Sequence, residues 1–170
     1  MYKITRFQIY LVLLIALFLQ GSVVNYVKIM GSGPDLLLMI VIFFGLFLGP
    51  AAGLESGFVA GFLRDIFALD FLWINAVILA LSGFIVGVIN TQFFKESKRA
   101  DFIFVLVFTA LSMSLHYLIV SALVNSIALD FWDFFISSAI PTAVYTGLVS
   151  VPVYVKLLDI YHLKEAEDYL

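Results

Sequence analysis

Residues 34–69 read PDLLLMIVIFFGLFLGPAAGLESGFVAGFLRDIFAL. Drawn as one helix, this stretch would run ~54 Å, against ~30 Å for the hydrocarbon core of a bilayer. It holds one internal proline, Pro50, directly after Gly49. A helix ends readily before a proline, and glycine supplies the backbone freedom a reversal needs. The stretch is therefore predicted to fold back on itself at Gly49-Pro50, as two spans at about 34–48 and 51–69.

Composition says whether a bilayer is the relevant solvent. Of 170 residues, 64% are hydrophobic and 12% are charged, and mean hydropathy is +1.13. A soluble domain carries about 25% charged residues. With 18 Phe, the chain has too little polar side chain to cover a surface facing water, which argues against a soluble all-α core. The net charge of −3 excludes nothing. No Cys is present, so a disulfide framework and a thiolate metal site are both excluded.

Apolar runs bounded by polar or turn residues place the remaining spans at about 7–24, 73–94, 102–124 and 134–158. The first follows Lys3 and Arg6 as a signal peptide would, but it outlasts the ~7–15 residues of a typical apolar signal core and reads as a retained helix. The breaks fall at Asn25–Gly33, at Lys95–Asp101 (KESKRAD) and at a loop with Asp130 and Asp133. Pro141 and Pro152 are expected to bend or loosen the last span. The fold class expected is an all-α integral membrane protein, residues 1–170 forming one membrane domain of six transmembrane helices.

Lys and Arg set the orientation. With both termini cytoplasmic, Lys3, Arg6, Lys95, Lys98, Arg99, Lys156 and Lys164 face inward, and Lys28 alone lies in an outer loop. A single crossing at 34–69 would turn the KESKR cluster outward, so charge and length agree on the hairpin.

Gly49, Gly53, Gly57 and Gly61 recur every four residues, and Asp65 continues the row. Four residues drift only about 40° around a helix, so the glycines form one slowly turning stripe. Gly83 and Gly87 form a shorter one. Small residues at this spacing admit another helix at close range, either a neighbouring span or the helix of a partner protein.

Charges within spans cost about 2.5–3.5 kcal/mol at mid-membrane, so Glu55, Arg64 and Asp65 need partners or headgroups. Glu55 lies about one turn from the inner end of its span. Arg64 is expected to snorkel or to pair with Asp65 or with Asp35, which opens the preceding span at similar depth. Thr109, Ser112 and His116 share a face of span 5. Ser138, Thr142, Thr146 and Ser150 repeat along span 6, with Tyr145 beside them. The polar cluster expected from these rows comprises Asp35, Glu55, Arg64, Asp65, His116, Thr142 and Tyr145. It reads as structural pairing or as a polar site inside the bundle. His116 reads as an interhelical hydrogen-bonding residue or as a ligand or proton-handling group.

No phosphate-binding glycine-lysine loop, HExxH or GxSxG occurs, and two His without Cys are a poor zinc set. No catalytic residue, metal or cofactor is predicted, so an enzyme is not expected. The lone basic cluster reads as an orientation signal or lipid headgroup contact, not a nucleic-acid surface.

Pro34-Asp35 opening an apolar span, GFLRDIF at 61–67, INAVILALSGFIVGVI at 74–89 and IPTAVYTGLVSVPVYVKLL at 140–158 follow one another in an order that resembles the MreD family of rod shape-determining membrane proteins. Where members often have a glycine a few residues past the span-3 aspartate, this chain has Leu72-Trp73, and Thr146 stands where many have asparagine. The resemblance implies a noncatalytic, multi-pass subunit of the bacterial cytoplasmic membrane that supports peptidoglycan synthesis during cell elongation. It implies the single-span protein MreC as main partner, then RodA and a class B penicillin-binding protein, with the MreB filament linked indirectly. Membrane lipids surround it, and a homodimer is an open alternative. The implied fold is a bundle like the S-components of energy-coupling-factor transporters, with a central cavity. A vitamin-binding S-component is accordingly the alternative function.

Overall fold

In the computed structural model, the residues described are 5–22, 32–68, 73–93, 98–124 and 130–161. Residues 25–31 of the predicted break at Asn25–Gly33, residues 95–97 of the predicted polar segment Lys95–Asp101, and the tail beyond Tyr161 lie outside them. The described residues form six helices: α1 (Arg6–Ser22), α2 (Leu36–Leu48), α3 (Pro50–Ala68), α4 (Ile74–Phe93), α5 (Lys98–Val124) and α6 (Phe131–Ile160).

The hairpin forms at Gly49-Pro50. Gly49 has φ 92° and ψ 177°, a conformation that excludes a Cβ in practice. Its N–H donates to Gly45 at the end of α2, and its carbonyl accepts from Gly53 N–H in the first turn of α3. Pro50 occupies the first position of α3, where a missing N–H costs nothing. Gly49→Ala is expected to lower stability by about 1–3 kcal/mol. Thermal unfolding in detergent would show the loss, and an unchanged melting temperature would mean the turn tolerates a side chain.

α2 is the axis of the bundle. Its sequence, LLLMIVIFFGLFL, has no polar side chain, and every residue from Leu37 to Leu46 is buried. A helix apolar on all sides belongs where protein surrounds it. α1, α3, α4, α5 and α6 all pack on it. At ~20 Å it is shorter than the ~30 Å hydrocarbon core. Enclosed by protein, α2 need not match that thickness. It also occupies the centre of the bundle, where the family resemblance implied a cavity.

α6 is continuous but not uniform. Residues Phe135–Ala139 widen into a π-helical turn, with Ile140 N–H donating to the Phe135 carbonyl. Pro141 follows at once. It offers no N–H to the preceding turn and its ring crowds that turn's carbonyl, so the wider spacing absorbs the mismatch. Below this point α6 runs beside α2, where Tyr154 Oη donates to the Met39 carbonyl at 2.8 Å. Tyr154 and Tyr161 also close an aromatic cluster over Phe43 and Phe44.

Asp101–Leu123 within α5 and Phe131–Ile160 are long and apolar enough to cross a membrane, while α1, α2 and Ile74–Ile89 are apolar but shorter. The surface is inverted relative to a protein in water. Phe7, Phe67, Leu111, Ile136 and Leu148 are exposed, while Ser56, Asp65, Thr109 and Thr146 are wholly buried. Hydrocarbon solvates such a surface at no cost, and Ser56, Asp65 and Thr146 find partners inside, whereas the Thr109 hydroxyl has none among the described residues.

Candidate functional site: a glycine seam and a four-helix polar junction

The glycines of α3 face α4 of the same chain. A Cβ on Gly57 would lie 2.3 Å from the Leu79 carbonyl oxygen, and one on Gly61 2.3 Å from that of Asn75. Gly53 meets Gly83 in the same way, and Gly87 meets Pro50 at 2.6 Å. α2 joins at this level: a Cβ on Gly45 would come within 2.5 Å of the Gly83 oxygen. Three backbones thus touch at Gly45, Gly53 and Gly83, distances open only to residues without side chains. The stripes read as packing or partner faces are filled by neighbouring spans, which leaves no room there for another protein's helix.

The seam continues to Asp65, one turn beyond Gly61. Asp65 is fully buried and accepts from Asn75 Nδ2 at 2.6 Å and from the backbone N–H groups of Asn75 at 3.4 Å and Ala76 at 3.3 Å. These donors belong to the first turn of α4, which has no partners of its own for them and favours negative charge. Trp73, directly before α4, has φ 81°, a conformation that glycine adopts freely and tryptophan does not. Its ring lies against Phe62 and Phe58. Aromatic packing thus holds Trp73 in this conformation.

Asp35 gathers four helices. It precedes α2 and caps it, Oδ1 accepting from Leu38 N–H at 3.1 Å. Oδ2 accepts from Arg64 Nη1 of α3 at 2.6 Å. Gln20 of α1 donates its amide to Asp35 Oδ1 at 3.5 Å, while its own oxygen accepts from Leu37 N–H at 3.1 Å. Asp35 N–H donates to Thr146 Oγ1 of α6 at 2.9 Å, and that hydroxyl donates onward to the Thr142 carbonyl. The Asp35 side chain is 6% exposed and that of Arg64 30%. Because α2 starts beneath the protein surface, its capping carboxylate starts there too and requires a cation.

The other candidates lie apart. Glu55 is nine residues before Arg64 on α3, about 14 Å along the helix. It accepts from the Tyr10 hydroxyl and pairs with Arg6 Nε at 3.5 Å, joining α1 to α3 near their first turns. His116 is half-buried on α5, beside Tyr117, whose ring stacks on Phe134 at 4.3 Å. Tyr145 is half-buried next to Thr146. From the expected cluster, the junction takes Asp35 and Arg64, with Thr142 contributing its backbone. It adds Gln20 and Thr146. Gln20, a lone amide in an otherwise apolar run, was the overlooked sequence signal, and Thr146 stood in the polar row of span 6.

Among the described residues, no three His, Asp or Glu side chains gather as a metal site. A cavity of about 440 Å³ opens beside Arg64, between the end of α1, α2 and the end of α3.

A family model described as rod shape-determining protein MreD matches residues 1–163. The chain belongs to the MreD family. No curated protein and no solved structure matches it. The match spans all six helices, including the Asp35–Arg64 junction and the glycine seam. Membership gives the chain a role in determining rod shape, and its apolar helices fit a membrane protein.

Proposed function

We propose that this MreD-family protein is a noncatalytic scaffold in the bacterial cytoplasmic membrane, crossing it six times with both termini in the cytoplasm, and that it holds MreC within the cell-elongation machinery. The observation that carries this reading is the family match across residues 1–163. The geometry suits a scaffold. α2, α3 and α4 meet backbone to backbone, and Asp35 ties α1 and α6 to that core. Rigid elements of this kind hold a partner at fixed geometry. Through MreC the protein would serve the RodA glycosyltransferase and a class B penicillin-binding protein outside, and the MreB filament inside.

With the small-residue stripes filled from within, the helix of MreC is left with the outward faces. Those of α1, α5 and α6 carry Leu11, Leu111 and Leu148. The chain has no native Cys, so single cysteines at these three positions report contact without background. Paired with cysteines along the MreC span, at least one position should crosslink while the others do not. Failure of MreC to copurify would remove the scaffold reading. Copurification with no crosslink from any of the three would place the contact on another surface.

A further inference from the structure

We propose that the cavity beside Arg64 is a binding site for one membrane glycerophospholipid, an acyl chain lying between α1 and α3 and the phosphate at the Arg64 end. α1 and α3 are joined at Tyr10–Glu55 and stand apart at their other ends, where the cavity opens. Leu17, Phe18, Leu37 and Phe67 give it hydrocarbon walls, while Arg64, Gln20 and Ser22 bring polar groups to it. Phe18 and Phe67 are 67% and 63% exposed, so the way in is apolar and faces the surroundings of the bundle.

An amphiphile matches this division, and about 440 Å³ falls in the ~300–1,000 Å³ range of small-ligand sites. Arg64 lines the cavity and is 30% exposed, and the planar fork of a guanidinium matches phosphate oxygens. Asp35 neutralises the Arg64 charge, so phosphate would be held by directed hydrogen bonds more than by net attraction. A zwitterionic headgroup such as phosphatidylethanolamine suits a neutral pair better than one of high negative charge. This site goes beyond the scaffold reading and does not depend on MreC.

The test uses the full chain alone, purified gently with mixed phosphatidylethanolamine and phosphatidylglycerol present and weighed by native mass spectrometry. One phospholipid per chain should persist. Gly21 lines the cavity, and a Cβ there meets nothing within 4 Å, so Gly21→Phe should fill the space without disturbing the helices. Retention should fall roughly tenfold at an unchanged melting temperature. Ser22→Trp, from an exposed position on the same rim, replaces it should Gly21→Phe fail to fold. Arg64→Lys keeps a cation for Asp35 but removes the fork, and should weaken retention while sparing the fold. Equal retention in wild type and the filled variant would overturn the proposal. So would a photoreactive side chain at Phe67 that couples in cells to a polypeptide and not to lipid. Neither result bears on whether MreC binds.

Discussion

Gly57→Leu is expected to break the packing of α3 on α4 outright. The first added carbon would fall 2.3 Å from the Leu79 carbonyl oxygen and 2.7 Å from the Ala80 Cα. These are backbone atoms, so no rotamer change makes room. Overpacked side chains usually cost about 1–3 kcal/mol because neighbours yield. Here a whole helix must move, and the loss should exceed 3 kcal/mol, a large share of the ~5–15 kcal/mol that holds a typical domain together. Moving α4 also opens the Gly45–Gly53–Gly83 contact and pulls Asn75 away from Asp65. Even Gly57→Ala should be clearly destabilising, whereas Gly21→Ala, at a site with open space, should not. Monodisperse yield and thermal unfolding in detergent would report the order. A Gly57→Leu protein as stable as wild type would show that the helices do not approach this closely.

Asp35→Ala should rank next. It removes the cap of α2, worth about 1 kcal/mol, and leaves Arg64 without its carboxylate. Breaking one partner of a buried ion pair costs about 3–5 kcal/mol. Arg64 retains 30% exposure and a long stem with which to reach headgroups, which puts the total near the low end, roughly 3 kcal/mol. Asp35→Asn keeps one oxygen to cap Leu38 but sets an amide NH2 against Arg64, so it should spare the cap, worth about 1 kcal/mol, and lose the ion pair. The double variant Asp35→Ala/Arg64→Met removes the stranded cation and should recover part of the loss. A double-mutant cycle by unfolding in detergent measures that coupling. If Asp35→Ala were no worse than Asp159→Ala, an exposed carboxylate, the junction would contribute nothing to stability.

The hairpin was legible in the sequence because a length limit, a Gly-Pro pair and the Lys/Arg bias all bear on the same 36 residues. The helices themselves were legible because six apolar runs leave few alternatives. The partner of Arg64 was harder. Asp65 is its sequence neighbour and Asp35 was only similar in depth, but adjacent residues on a helix point in different directions. Asp65 faces α4 and Arg64 faces α2. Glu55, His116 and Tyr145 were grouped with these residues by chemical type, yet helix direction carries them to other levels and faces of the bundle.

By itself, the sequence determined how many helices form, where they turn and that their outward faces are apolar, since these follow from local chain chemistry and the choice of solvent. Only the tertiary structure decided that α2 becomes the axis, that α3 spends its glycines on α4, and that Asp35 joins α1, α3 and α6. Those outcomes depend on which helix faces which. An apolar helix in an apolar medium carries little record of its neighbours, because lipid and protein satisfy its side chains almost equally well.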